Sequence, residues 1–426
     1  MSHRDQNNYA TDLLQHLKQQ FSQTSFEHPK KSSLGERVAE LDKDPEINFD
    51  GDREMVDSNP SKDRPFKKYD GVVFVTKLLR DGPQDLKDVM TMLCYLQHAY
   101  NDKMNYDIVI FTTIPWKEEN IKRVQDIVGP ETKLTIAVEG PSLEEQLAAM
   151  TKEERDFLYD RCHFKNETHR EPLTWDHYCE EKGEGANLNS LGYSWQAEFR
   201  AYHIWNHSAL KPYKYMFWID TDSRLAITWD KDPFEMMIEN DLIMLFAGYP
   251  CGKIQTQAVR RKISGAYGKD LCYSKKNEFG ELYGGLCKPG DKNSFFRIRQ
   301  VMGNHHITNL DVFRKPIHQA FLKNFTGDYR FSRMHDDQAA VTIVSIMEQI
   351  LTDPTAKHTR IWHERSKNMT MKIHHHGIFD EIYTERGPRE LGAYWKKYSE
   401  TWEGMKERCP HPKDILDFKK PSVSDI

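Results

Sequence analysis

Alternating strand and helix patterns constrain the fold of this chain more than any other feature. The runs Val72–Thr76, Asp107–Phe111 and Leu134–Val138 are rich in β-branched and apolar residues, which is typical of strands, and the first reads as a buried one. A helical period of apolar residues fills 84–100 between the first two runs, and a charged helix is predicted between the last two. Strands that alternate with helices predict an α/β fold with a mostly parallel sheet, and such sheets bind ligands at the carboxyl ends of their strands.

The rest of the chain continues this pattern with one interruption. Tyr215–Ile219 is a further buried strand, and 306–313 is strand-like. Helices are predicted near 315–324 and 337–350. Residues 252–300 are rich in Gly, Lys and Cys and are predicted to form a long loop or insertion.

The pattern divides the chain into three parts. Residues 1–66 are polar and carry only one short amphipathic patch, so a disordered or stem-like segment is predicted there. Residues 67–415 are predicted to form one α/β domain, and 416–426 a C-terminal tail.

Charge and hydropathy exclude two classes of partner. Lys and Arg number 60 against 65 Asp and Glu, a formal net charge of −5, so nothing predicts nucleic-acid binding. The longest apolar string, 242–247, is far below the roughly 20 residues that a membrane span needs. No transmembrane segment is therefore predicted in this chain, and residues 1–30 lack the apolar core of a signal peptide.

The cysteines and glycosylation sequons bear on the compartment. The 7 Cys include no CxxC pair, so a cysteine zinc site is not expected, and their scatter fits a reduced cytosolic enzyme or a lumenal one with a few disulfides. Sequons favour the secretory route weakly, and they begin at Asn166, Asn206, Asn324 and Asn368.

The motif Asp220-x-Asp222 at the end of an apolar strand is the strongest chemical signal. Residues i and i+2 of an extended segment project to one face, and two carboxylates there repel unless a cation lies between them. A hard divalent cation, Mn²⁺ or Mg²⁺, meets that need and bridges to diphosphate oxygens, as in glycosyltransferases that use nucleotide sugars. The alternative is two aspartates that form a turn.

A histidine cluster is the candidate for a third metal ligand. His374 and His376 flank His375 after a strand-like stretch, and His363 is a weaker rival. Imidazole suits Mn²⁺ as well as zinc. A cluster of solvated histidines is the alternative interpretation.

Other polar residues are candidates for the donor and the reacting carbon. Asp336 and Asp337 open an apolar helix, where they are either ordinary caps or carboxylates near the sugar carbon. Thr76, Arg80 and Arg200 are candidates for binding the donor, the two arginines through its phosphates. No GxxxxGK[ST] loop or GxSxG elbow occurs, so neither P-loop nor α/β-hydrolase chemistry is indicated.

The segment 206–234 carries a family resemblance. It reads NHSALKPYKYMFWIDTDSRLAITWDKDPF and resembles the central motif of the fungal Golgi α-1,2-mannosyltransferases, glycosyltransferase family fifteen. The strands at 72–76 and 106–111 resemble the first two strands of that family. Downstream, 303–307 and 337–340 lie where the family has Asn-Phe-Glu-Ile and Gly-Asp-Ala-Pro. The resemblance covers roughly residues 70–350.

The resemblance implies a GT-A-like, Rossmann-type mixed sheet with helices on its faces. It also implies a glycosyltransferase in the Golgi lumen, with a cytoplasmic enzyme as the alternative. Asp220 stands where the family has a glutamate metal ligand, and His306 stands where it has a glutamate assigned as nucleophile. The resemblance thus puts Asp337 and His306 near the sugar.

The functional prediction is a retaining, metal-dependent glycosyltransferase that moves a hexose, mannose from GDP-mannose by resemblance, to a glycan or glycoprotein hydroxyl. A UDP-sugar donor on the same fold is one alternative. A catalytically inactive lectin-like or scaffold protein is another, and the histidine at 306 is the feature that favours it.

Overall fold

A computed structural model describes most of the chain between residues 67 and 417. The described parts are 67–163, 172–180, 188–225, 229, 231–246, 253–254, 257–268, 274–276, 282–284, 298–299, 301, 303–326, 331, 337–352, 360–363, 373–374, 409 and 415–417. The predictions for residues 1–66, and for 418–426 of the tail, lie outside these parts. The domain boundaries remain predictions.

A seven-stranded sheet organises the described chain, in the order β14-β8-β13-β6-β1-β2-β3. Four of its six strand pairings are parallel, and β13 is antiparallel to both of its neighbours. The predicted mixed, mostly parallel α/β sheet is therefore confirmed. Four two-stranded sheets pair β10 with β11, β9 with β12, β7 with β15 and β4 with β5. The strands are Val72–Lys77 (β1), Asp107–Thr112 (β2), Leu134–Val138 (β3), Tyr178–Glu180 (β4), Leu188–Ser190 (β5), Tyr215–Ile219 (β6), Arg224–Leu225 (β7), Met244–Phe246 (β8), Lys253–Ile254 (β9), Ser274–Lys276 (β10), Leu282–Gly284 (β11), Ile298–Arg299 (β12), His305–Asn309 (β13), Ile361–His363 (β14) and Ile373–His374 (β15).

Helices cover both faces of the sheet, and a π-helical turn at Gln97–Asn101 extends the first of them. Short 3₁₀ turns lie at His203–Asn206, Ser208–Leu210 and Ile415–Asp417. The α-helices are Pro83–Leu96 (α1), Asp102–Met104 (α2), Glu118–Val128 (α3), Leu143–Ala148 (α4), Lys152–Tyr159 (α5), Leu191–Ala201 (α6), Pro233–Glu239 (α7), Gln257–Tyr267 (α8), Leu310–Phe313 (α9), Pro316–Phe325 (α10) and Asp337–Thr352 (α11).

The apolar runs in the sequence explain the two cores. Strand β1 is buried along its whole length, and its alternate residues point to opposite faces. Val73 and Val75 belong to the core that packs against α6, α10 and α11. Val72 and Phe74 belong to the core under α1 and α3. Strands buried on both faces read as continuous apolar runs, and this is why β1, β2 and β6 were recognisable in the sequence.

Two predicted elements differ from the structure. The segment 252–300, predicted as a long loop or insertion, contains helix α8 and the short strands β9 to β12. The strand predicted over 306–313 ends at Asn309, whose side-chain oxygen accepts the backbone N–H of Asp311 at 3.1 Å and caps α9. An asparagine cap of this kind ends a strand and begins a helix at the same residue.

Two disulfides join described cysteines. Cys94 in α1 is bonded to Cys409, 315 residues away in the chain, and Cys162 is bonded to Cys179, 17 residues away. The first bond ties the carboxyl-terminal region to a core helix. No described helix is long and apolar enough to cross a membrane.

The two disulfides are predicted to differ in their contribution to stability. Breaking the Cys94–Cys409 bond by Cys409→Ala should lower the free energy of unfolding by about 2–5 kcal/mol, and by more than Cys179→Ala does, because the longer loop restricts the unfolded chain more. Urea denaturation of the oxidised proteins measures this. Both differences should vanish in reductant, and a larger loss in Cys179→Ala would contradict the prediction.

Candidate active site

A cleft of about 470 Å³ opens where the parallel strands β1 and β6 end. This is the edge at which mostly parallel sheets bind ligands. Five of the residues that line it are aspartates, and two are cationic. The lining residues are Lys77, Leu78, Leu79, Asp85, Asp88, Tyr193, Gln196, Arg200, Asp220, Thr221, Asp222, Gly303, Asn304, Asp337 and Gln338.

Asp220 and Asp222 stand at the end of β6, a strand whose five residues are all buried. Both aspartates are half-buried and line the cleft. The backbone N–H of Asp220 donates to the carbonyl of Asn304 at 2.9 Å, and the indole N–H of Trp218 donates to Asp220 Oδ1 at 2.6 Å. The first aspartate is thus fixed by both its backbone and its side chain.

Arg200 of helix α6 contacts two acidic residues of the cleft, Asp337 and Asp220. Its Nε lies 2.9 Å from Asp337 Oδ2, and its Nη1 lies 3.6 Å from Asp220 Oδ1. Its Nη2 donates to the carbonyl of Gly303, and its guanidinium lies 4.3 Å from the centre of the Trp218 ring. Because the side chain of Arg200 is only 11% exposed, solvent screens these charge-assisted and cation–π contacts little.

A buried ion pair lies behind the cleft. Lys77 Nζ, at the end of β1, is 3.0 Å from Glu139 Oε1, and the two side chains are 0% and 1% exposed. The indole N–H of Trp195 in α6 donates to the same carboxylate at 2.8 Å. Burial lowers the pKa of Lys77 and raises that of Glu139, while each charge opposes the shift of the other. The pair therefore joins β1, the end of β3 and α6.

The donor set of the cleft fits a hard divalent cation. Asp220 and Asp222 offer carboxylate oxygens, the ligands that Mn²⁺ and Mg²⁺ prefer, at one end of one strand. The antiparallel pairing of β7 with β15 places the backbone of His374 opposite Arg224, two residues beyond Asp222. The histidine predicted as third ligand therefore belongs to a strand next to the aspartate motif.

Comparison with protein families decides the class of this chain. A family model described as glycolipid 2-alpha-mannosyltransferase matches residues 30–354, which is well over half of the chain. The chain belongs to this mannosyltransferase family. It is therefore a glycosyltransferase, and the resemblance seen in the sequence is confirmed.

Solved structures with a similar fold include fungal mannosyltransferases. Core-mannan synthase A from Aspergillus fumigatus, in an Mn/GDP form, is 16% identical, and the match covers 71% of this chain and 78% of that one with a TM-score of 0.44. The mannosyltransferase Ktr4p from S. cerevisiae is 13% identical, over 74% and 72% of the two chains, with a TM-score of 0.49. Among curated proteins none matches. With identities and TM-scores this low, the assignment of this mannosyltransferase rests on the family match.

Only some of the site residues predicted for this mannosyltransferase line the cleft. Arg200, Asp220, Asp222 and Asp337 line one cleft. Asp336 and His376 lie outside the described residues, as does the side chain of His374.

Three further candidates are not among the residues that line the cleft. Thr76 is 1% exposed within β1. The exposed Arg80 binds Asp176 at 2.9 Å and lies 3.7 Å from Asp85, which does line the cleft. His306 is 3% exposed on β13, paired in register with Trp218. Burial, followed by the charges of Arg200 and His305, lowers the pKa of His306 well below its usual value, so its imidazole is neutral at pH 7.

Several lining residues carry no signal in the sequence. Asp85, Asp88, Tyr193 and Gln196 come from the helices α1 and α6, where polar residues are unremarkable by themselves. Lys77 was identifiable in principle, because a charged residue that ends a predicted parallel strand lies at the ligand-binding edge.

Removing one member of the buried ion pair should destabilise the protein in a pH-dependent way. Glu139→Gln leaves the ammonium of Lys77 without a counter-ion, and the free energy of unfolding should fall by about 3–5 kcal/mol at pH 7. The folded variant then holds the Lys77 proton less tightly than the unfolded chain, whose lysine pKa is about 10.4. Since the unfolded state binds more protons, stability should rise with pH up to that value.

Urea denaturation at pH 7, 8 and 9 measures this slope against wild type. Lys77→Met combined with Glu139→Gln removes the titrating group and is the matched control, which should show no extra slope. A variant Glu139→Gln as stable as wild type at pH 7 would contradict the account of the ion pair.

Proposed function

We propose that this mannosyltransferase transfers mannose from GDP-mannose to a glycan hydroxyl with retention of configuration and with the help of Mn²⁺ or Mg²⁺. One observation carries the proposal: Arg200 holds Asp220 of the metal motif and Asp337 within one cleft, at distances of 3.6 Å and 2.9 Å. Membership of a mannosyltransferase family supports the sugar. The donor base rests on the resemblance described above.

The metal would be held by Asp220 and Asp222, with His374 as the proposed third ligand. When bound, such a cation neutralises the negative charge of the departing diphosphate. The chain's own contribution is to fix the carboxylates in advance, through the Trp218 indole at Asp220 and the backbone bond from Asp220 to Asn304. Preorganised groups of this kind lower the barrier because they need no rearrangement during the reaction.

Arg200 has two tasks in this proposal. Its guanidinium pairs with the carboxylate of Asp337 and orients it, and its positive charge attracts the donor diphosphate. Asp337 in turn stabilises the positive charge that develops on the sugar ring in an oxocarbenium-like transition state.

His306 closes one mechanistic route. By the family resemblance it stands where the family has its glutamate nucleophile, and its imidazole is buried and neutral. A covalent glycosyl carboxylate cannot form there. Retention then requires Asp337 as the nucleophile, or a front-face route in which the leaving phosphate helps to deprotonate the acceptor.

A lumenal location, the Golgi lumen by family resemblance, completes the proposal. The two disulfides are of the kind that persist in oxidising compartments. Two of the four sequon asparagines, Asn206 and Asn324, are exposed, while Asn166 and Asn368 lie outside the described residues. Detection of glycans at the exposed pair tests this location.

Asp220→Ala should abolish the Mn²⁺-dependent part of GDP binding without unfolding the protein, because it removes a half-buried carboxylate ligand. Isothermal titration with GDP, with UDP and with each nucleotide in the absence of metal measures this and separates the two donor classes. Asp70→Ala is the matched control, since Asp70 is exposed beyond the opposite end of β1. A gain of GDP affinity on adding Mn²⁺ that is as large in Asp220→Ala as in wild type would exclude Asp220 as a ligand.

Asp337→Asn should preserve donor binding and raise the transfer barrier by about 2–4 kcal/mol, the loss expected for one electrostatic stabiliser. His306→Ala should slow transfer much less. Transfer from GDP-mannose to a mannoside measures both rates, and NMR of the product gives its stereochemistry. Near-normal turnover in Asp337→Asn, or a β-linked product, would overturn the assignment.

A further inference from the structure

Asn304 lines the cleft and carries a buried polar atom without a partner among the described residues. The residue is 7% exposed and lines the cleft beside Asp220 and Asp337. Its side-chain oxygen Oδ1 is buried and has no hydrogen-bond partner among the residues that the structure describes. A buried acceptor without a partner costs stability, so such a group is retained where a ligand supplies the missing donor.

The backbone around Asn304 is held rigidly. Its carbonyl accepts the N–H of Asp220 at 2.9 Å, and the carbonyl of the preceding Gly303 accepts a hydrogen bond from Arg200. A Cβ at Gly303 would lie 2.7 Å from Cγ of Gln338 and 3.1 Å from Nη2 of Arg200, so any other residue there would force one of these side chains to shift. The contacts that Asp220 and Arg200 make with this backbone therefore also position Asn304.

The chemistry of the carboxamide selects the ligand. A carboxamide offers an oxygen acceptor and N–H donors but no charge, which matches a hydroxyl, since a hydroxyl both donates and accepts. Phosphate oxygens only accept, and the unpartnered group of Asn304 is an acceptor too. In a cleft that already provides Arg200 for the phosphates and two aspartates for a cation, the neutral amide is suited to a neutral part of the substrate.

We propose that Asn304 is a sugar-specificity residue whose side-chain oxygen accepts a hydrogen bond from a hydroxyl of the hexose. This inference rests on the proposed function, because it places a sugar in the same cleft. The hydroxyl belongs either to the mannose of the donor or to the acceptor glycan, and the experiment distinguishes these sources.

Stability provides the first measurement. Asn304→Ala removes an acceptor that makes no described bond, so the melting temperature should stay the same or rise. Asn309→Ala is the matched control, because Asn309 is 6% exposed at the other end of β13 and its Oδ1 caps α9. Loss of this cap should lower the melting temperature by about 2–4 °C. A larger loss in Asn304→Ala than in Asn309→Ala would show a structural role and overturn the inference.

Binding and kinetics provide the second measurement. In Asn304→Ala the affinity for GDP with Mn²⁺ should be unchanged. If the donor sugar is the partner, the affinity for GDP-mannose should fall about 3- to 10-fold, and if the acceptor is, the KM for methyl α-mannoside should rise by that factor. Deoxy analogues of the affected sugar identify the hydroxyl. The analogue that lacks it should lower the affinity of wild type, or raise its KM, by the same factor. That analogue should change neither quantity further in Asn304→Ala.

The failures are distinguishable. Wild-type protein that binds neither GDP-mannose nor GDP with Mn²⁺ would contradict the proposed function, and the inference with it. Wild-type activity with no change in either sugar parameter of Asn304→Ala would overturn the inference alone. A loss of GDP and Mn²⁺ affinity in Asn304→Ala would assign the amide to the cation or phosphates, and would equally overturn it.

Discussion

The contact of Arg200 with both Asp337 and Asp220 is the interaction on which the site depends. Five aspartates line one cleft, and without a cation near them their mutual repulsion would push them apart. Arg200 supplies that charge from a half-enclosed position over the Trp218 ring. Its Nη2 also bonds the backbone next to Asn304, so one guanidinium contacts the proposed metal ligand, the proposed catalytic carboxylate and the segment with the proposed sugar contact.

The guanidinium is itself held in place by the fold. Helix α6 carries Arg200 and also Trp195, whose indole bonds the buried carboxylate of Glu139. Glu139 pairs with Lys77 at the end of β1, beside the strand that ends at Asp220. The helix is therefore tied to the same sheet edge that presents the aspartates. A buried ion pair adds little net stability, but a buried charge that has lost its partner is costly. The contacts of Lys77, Glu139 and Trp195 therefore favour a single position of helix α6 on the sheet.

The environment of His306 bears on the proposed chemistry. Strand β13 is antiparallel to both neighbours, and it puts His306 between Trp218 and Phe246 in a dry environment. An ionised carboxylate in such a place is costly unless it is paired, whereas a neutral imidazole is tolerated. The histidine thus fits the packing of this chain, and the role of a carboxylate near the sugar passes in our proposal to Asp337.

The elements that sequence analysis identified are those whose pattern is local. Strands β1, β2, β3 and β6 are continuous apolar runs, and the aspartate motif follows the last of them, so their nature and the ligand-binding edge were predictable. Helix α8 was missed because the Gly-, Lys- and Cys-rich composition of 252–300 predicts a loop, although Val259, Ile263 and Tyr267 recur at helical spacing. Strand β13 was predicted too long because the apolar residues Leu310, Val312 and Phe313 follow the cap at Asn309.

The contacts within the site were decided by the tertiary structure. Arg200 meets Asp337 across 137 positions of the chain (337 − 200), and Lys77 meets Glu139 across 62 (139 − 77). Isolated charged residues on helices carry no mark of such partners, because pairing depends on the order of the strands and on the rotation of each helix. The amino-acid sequence alone was sufficient for the α/β class, the family and the carboxylates at the strand end. Only the folded chain brings together one arginine, two acidic groups and a buried amide, since their proximity follows from packing between distant segments.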